Sequence, residues 1–102
     1  MTTRRETLRR VENEIAQEKA TALGRAGERL EEALAALEAV MRAFEAANDE
    51  SRRADVRAAY HTARARMRTA RLNLVIQREA LGLRSHRVVD QQYPEPVPPP
   101  WL

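Results

Sequence analysis

The chain of 102 residues contains no cysteine. That excludes a disulfide framework, a thiolate nucleophile and any cysteine-held metal. Aromatic residues make up 4% of the sequence, so a core has to be built from aliphatic side chains and alanine. Proline is absent before Pro94 and there are three glycines, which leaves most of the chain free to run as uninterrupted helix. No apolar stretch approaches the roughly 20 residues needed to cross a bilayer. The opening MTTRRETLRRVENE has no apolar segment of the secretory kind, and its interspersed Glu residues argue against a transit peptide. A single small domain in a reducing cytoplasm is the expectation.

What is present is charge, unevenly spread. Residues 1–47 carry a net −1, residues 48–87 a net +6 from ten arginines, and residues 88–102 a net −2. Lys19 is the sole lysine. The middle block is the basic part of the chain, and a functional reading has to account for it.

Thr3-x-x-Glu6 is a capping box and predicts a helix from about residue 4 to 47. Leu23, Ala26, Leu30, Ala33, Leu37, Val40, Phe44 and Ala47 recur in steps of three and four, a continuous stripe on one helix face. Leu8, Val11, Ile15 and Ala22 keep the same rhythm one residue out of phase, which predicts a bend or re-phasing around Leu23–Gly27. Gly24 and Gly27 there would let another backbone approach. Asn48 is expected to end the helix in the left-handed conformation, with Asp49 or Ser51 capping the next. A second helix over about 52–81 follows from Val56, Tyr60, Ala63, Met67, Ala70, Leu74, Gln77 and Leu81, and stops at Gly82. Ser85 can cap a short third helix over about 86–92. Residues 94–102 form an extended, proline-rich tail.

A short turn between two periodic helices makes an antiparallel hairpin. Setting Ala47 beside Val56 pairs Phe44 with Tyr60, Leu37 with Met67, Ala33 with Ala70, Leu30 with Leu74 and Leu23 with Leu81. Residues 4–22 are then left as an arm without a partner, and the apolar flank Leu8, Val11 and Ile15 has to be covered. Either residues 83–102 fold back along it, bringing Leu83, Val88, Val89, Tyr93 and Trp101, or another molecule does. Leu8, Val11 and Ile15 standing bare in solvent, or Phe44 lying far from Tyr60, would end this geometry. Leu34 and Met41 on the first helix, with Leu72, Val75 and Ile76 on the second, widen the apolar stripe beyond a two-helix seam. The fold class is therefore all-α: a long hairpin with a short third helix, residues 1–93 as one domain, expected to pair into a four-helix bundle as a homodimer.

Arg57, Arg64, Arg71 and Arg78 lie seven apart on one line. The same register sets the first three against Glu45, Glu38 and Glu31, which predicts a salt-bridge ladder pinning the hairpin. Arg52, Arg53, Arg66 and Arg68 remain as candidate nucleic-acid contacts through phosphate neutralisation. No helix-turn-helix, zinc-finger or aromatic stacking pattern accompanies them, so the sequence disfavours nucleic acid. His61 and His86 have no Glu or His at metal-ligand spacing on the same face and read as solvent-exposed. Acid pairs such as Glu12/Glu14 and Glu31/Glu32 do not form Glu-x-x-His. Phosphate-loop, dinucleotide and nucleophile-elbow motifs are missing. The expectation is no enzyme, no metal and no cofactor.

Pro96-x-x-Pro99 matches a loose polyproline-ligand pattern, so the tail is a candidate surface for a protein partner as well as for docking on its own chain. Two segments also carry a resemblance. Glu14-Ile-Ala-Gln-Glu-Lys-Ala-Thr-Ala-Leu-Gly-Arg-Ala-Gly-Glu-Arg-Leu-Glu-Glu-Ala-Leu and Val75-Ile-Gln-Arg-Glu-Ala-Leu-Gly-Leu-Arg-Ser-His together resemble a group of short bacterial proteins known as a domain of unknown function. The likeness spans most of residues 11–93. It implies a small cytoplasmic helical protein, of proteobacterial type, and transfers no activity and no site residues; the proline-rich end departs from the pattern.

The function expected is a non-enzymatic interaction or structural module. Its contact residues are Leu8, Val11, Ile15, Leu34, Met41, Leu72, Val75, Ile76 and Trp101. The alternative is a basic accessory protein binding nucleic acid through the arginine-rich second helix. A dedicated chaperone or antitoxin-like partner is a third reading.

Overall fold

Helix α1 (Arg4–Ala46) starts where the capping box puts it. The Thr3 hydroxyl accepts from the Glu6 amide at 3.1 Å, and the Thr3 amide donates to the Glu6 carboxylate at 3.3 Å. These contacts come from a computed structural model, which describes residues 3–101. α1 runs for 43 residues through both Gly24 and Gly27 as one helix. It ends without the expected left-handed Asn48: among the described residues the one positive φ belongs to Gly82, at 79°. The chain turns instead through an extended Ala47 (φ −71°, ψ 126°), and the Asp49 carboxylate caps helix α2 (Glu50–Ala80) by accepting from the Arg52 amide at 2.8 Å.

α2 closes with a two-bond terminus. The Gly82 amide donates to the Glu79 carbonyl at 2.9 Å and the Leu83 amide to the Arg78 carbonyl at 3.0 Å. This is the Schellman pattern, and its left-handed position is one that glycine adopts without steric cost. Helix α3 (Arg87–Gln92) follows, capped at His86 and not by the Ser85 side chain. Ser85 contributes its carbonyl, which accepts from the Arg78 guanidinium at 3.0 Å.

The two long helices pack antiparallel and the molecule measures 73 × 24 × 15 Å. One cluster of buried residues holds both members of three derived pairs: Leu37 with Met67, Ala33 with Ala70, and Leu30 with Leu74. Phe44 and Tyr60 lie at the same level, since both rings meet Trp101. The extra width of the apolar stripe is taken up inside the chain. Leu34 is buried in the cluster alongside Val89 of α3, and Met41, Tyr93 and Trp101 pack against it. Leu34 thus lies in the core of the chain, and Met41 and Trp101, also expected as partner contacts, have packing partners within it. A two-helix seam is too narrow for these side chains, and the C-terminal segment supplies the third layer.

The tail docks on its own chain, but not along the arm. Residues 83–101 do not fold back along the N-terminal arm. They run the other way, toward the turn, with Tyr93 beside Gly27 and Trp101 beside Phe44. Within the chain the flank Leu8, Val11 and Ile15 therefore stays bare: of the two conditions set on the geometry, the level of Phe44 and Tyr60 is met and the covered flank is not.

Candidate functional site

Two features stand out beyond the core: a C-terminal strap fastened to the hairpin, and the uncovered arm. The strap comprises α3 and the proline-rich residues after it. The indole of Trp101 stacks on Phe44 with ring centroids 3.7 Å apart and planes 11° from parallel, and meets Tyr60 edge-on at 5.5 Å. The Arg53 and Arg57 guanidinium groups lie 5.8 and 5.5 Å from the centre of the Phe44 ring. Tyr93 sits over Gly27: a Cβ placed on that glycine would be 3.3 Å from the phenol oxygen. The close approach foreseen at the glycine pair is therefore made by a side chain at Gly27, whereas Gly24 faces open space. All four aromatic residues of the sequence take part in holding the strap.

The arginine line serves the same purpose, and the predicted ladder to Glu45, Glu38 and Glu31 does not form. Arg71 donates to Asp90 at 2.6 Å and to the Tyr93 carbonyl at 2.7 Å. Arg64 pairs with Glu95 at 3.1 Å, and Arg68 approaches the same carboxylate at 3.8 Å. Arg57 turns to Glu50, 2.7 Å away on its own helix. This holds the Glu50 carboxyl below its ordinary value, by the hydrogen bond first and then by the guanidinium charge. Heptad spacing put the arginines on one edge of α2, and that edge faces acids of the strap as well as of α1. The sequence signal for the true partners was present: Asp90 and Glu95 are the two acids of residues 88–102.

Three of the four candidate nucleic-acid arginines are engaged within the chain. Arg52 contacts Asp49 and Asn48, Arg53 donates to the Ala47 carbonyl, and Arg68 faces Glu95. Arg66 is exposed with no ion pair or hydrogen bond recorded among the described residues. His86 is half-buried and its Nε2 lies 3.1 Å from Glu79, which corrects the expectation of a solvated imidazole; His61 is exposed beside Tyr60. Among the described residues no helix is long and apolar enough to cross a membrane.

The arm is what the fold leaves unsatisfied. α2 ends at the level of Lys19, whose ammonium donates to the Ala80 carbonyl at 3.4 Å. Residues 4–18, about 22 Å of helix, extend past that point. Leu8, Val11 and Ile15 are 56, 46 and 46% exposed. At the foot of the arm Ile15, Ala16 and Lys19 line an open recess with Ala80 and Leu81. Leu81, expected against Leu23, and Leu83 and Val88, expected to cover the arm, add further exposed apolar surface near the end of α2. Of the other predicted contacts, Leu72 and Ile76 form a separate exposed pair four residues apart on α2, and Val75 is half-buried.

Comparison with protein-family models, with curated proteins and with solved structures finds no match to this chain.

Proposed function

We propose that the protein is a non-enzymatic interaction module: a helical hairpin, braced by its own C-terminal strap, that self-associates as a homodimer through the exposed arm. The observation that carries this reading is the stripe Leu8, Val11 and Ile15, half exposed on a helix whose neighbour stops at Ala80. An isolated helix segment of some 15 residues is marginal in water, and its apolar face gains stability from a partner. A cytoplasmic setting and the likeness to short bacterial helical proteins belong to the same reading. So does the proline-rich tail as a second contact surface, although Pro96 and Pro99 of the expected motif are half-buried while Pro94, Val97 and Pro98 are exposed.

Light scattering over a concentration series tests it. The expected result is a dimer that dissociates on dilution and is abolished by Val11→Glu. A monomer at every concentration would overturn it.

Nucleic-acid binding through α2 is the weaker reading, supported by the net +6 of residues 48–87 and by exposed Arg66. Its mark is duplex binding that falls steeply with salt and weakens in Arg66→Ala.

A further inference from the structure

The arm carries its charges in two blocks. From Thr3 to Arg10 there are four arginines and Glu6, net +3; from Val11 to Lys19 there are Glu12, Glu14 and Glu18 against Lys19, net −2. At about 100° per residue, Arg4, Glu12, Glu18 and Lys19 fall beside the Leu8–Val11–Ile15 stripe, while Glu6, Arg9 and Arg10 fall on the far side. The structure agrees on that opposite side, where Glu6, Arg9, Arg10 and Asn13 border one surface depression. Beside the stripe the tip therefore carries Arg4, and the base carries Glu12 and Glu18 against Lys19, a net −1.

We infer that the occupant of the arm is the arm of a second copy, running antiparallel, so that two hairpins join tip to tip about a two-fold axis near Val11. This rests on the self-association proposed above and goes further by naming the surface and its orientation. Antiparallel pairing lays the tip's Arg4 and Arg5 beside the partner's Glu18 and Lys19, whereas parallel pairing in register sets every charge against its own kind. The stripe is self-complementary under that axis, with Leu8 facing the partner's Ile15 and Val11 near its own counterpart, as a two-fold interface requires. The partner's arm runs in the direction of α2 and takes its place beside α1 from Ala80 onward. Its tip ends over the recess formed by Glu12, Ile15, Ala16, Lys19, Ala80 and Leu81. The dimer is then a rod and not a side-by-side bundle. With each copy 73 Å long and an overlap of about 22 Å, its length comes to about 120 Å.

Small-angle scattering and cysteine cross-linking of the full chain test this together. Since the chain has no native cysteine, any disulfide joins introduced residues. A maximum dimension near 120 Å is expected, against about 75–80 Å for a side-by-side bundle of helices this long. Arg4→Cys mixed with Glu18→Cys should cross-link several-fold faster than either variant alone, and dimerisation should weaken with salt. Faster cross-linking of Arg4→Cys with itself would show parallel arms and overturn the orientation. A dimer near 75–80 Å without the mixed cross-link would overturn the arm joint and leave self-association standing. A monomer would overturn both. Circular dichroism of each variant confirms that the helices are intact.

Discussion

Removing the Trp101 side chain should undo the strap where it meets Phe44 and Tyr60, and the size of the effect follows from the packing. The indole stacks on Phe44 and meets Tyr60, which is 1% exposed, so truncation uncovers a ring that is otherwise sealed. Losing about 100 Å² of apolar burial from a half-buried Trp costs about 2.5 kcal/mol. The two ring pairings add about 1 kcal/mol. The freed residues recover some entropy, but four prolines between Glu95 and Trp101 have little to recover. A net loss of about 2 kcal/mol is expected for Trp101→Ala in urea denaturation followed by circular dichroism, and less than half of that for Trp101→Phe. Trp101 is the sole tryptophan, so its emission reports docking in the wild-type chain. It should shift to the red before the helices melt. An unchanged urea midpoint in Trp101→Ala, with native emission already that of a solvated indole, would refute the strap.

Arg71→Lys should release α3 by about 1–2 kcal/mol, because an ammonium does not reproduce the paired bonds to Asp90 and the Tyr93 carbonyl. Faster amide exchange in α3 would register it, whereas Arg57→Lys, which touches Glu50 on its own helix, should leave α3 unchanged. Gly24→Ala should raise stability by about 0.5–1 kcal/mol, since its Cβ enters open space inside a helix. Gly27→Ala should give back part or all of that gain, the Cβ standing 3.3 Å from the Tyr93 phenol; thermal melts of the two variants compare them directly. The Tyr93 phenol is held above its ordinary value of 10.0 by burial first, then by the charge and hydrogen bond of Glu31. The neutral phenol is thus favoured in the fold. Its contribution is complete below the unfolded value and is lost as pH rises through the higher folded one. Strap release followed by Trp101 emission should track that alkaline step, and Tyr93→Phe should abolish it.

The helices were legible because their signals are local. A capping box, a capping Asp49 and a glycine with a left-handed φ each act within four residues of a helix end, and the structure places those ends within two residues of expectation. The seam was legible as well, since steps of three and four identify one face whatever lies against it. The candidate site was readable in part. Leu8, Val11 and Ile15 belong to a rhythm that α2 is too short to meet, and helix lengths alone reveal that shortfall.

The route of the strap was not legible. Residues 94–101 carry no helical period, and a polyproline segment makes no internal hydrogen bonds that would announce its direction. The arginine line was ambiguous for a related reason: Glu31, Glu38 and Glu45 share its spacing, yet Asp90 and Glu95 are the acids that reach Arg71 and Arg64. Which set wins depends on whether the strap lies between the helices' flanks, a matter of three-dimensional proximity that spacing along one helix does not encode. The sequence by itself determined two unequal helices, the face they share and the length left over. Tertiary structure alone decided that Trp101 closes onto Phe44 and Tyr60 at the turn end, which directs the chain's spare apolar surface there and leaves the arm uncovered.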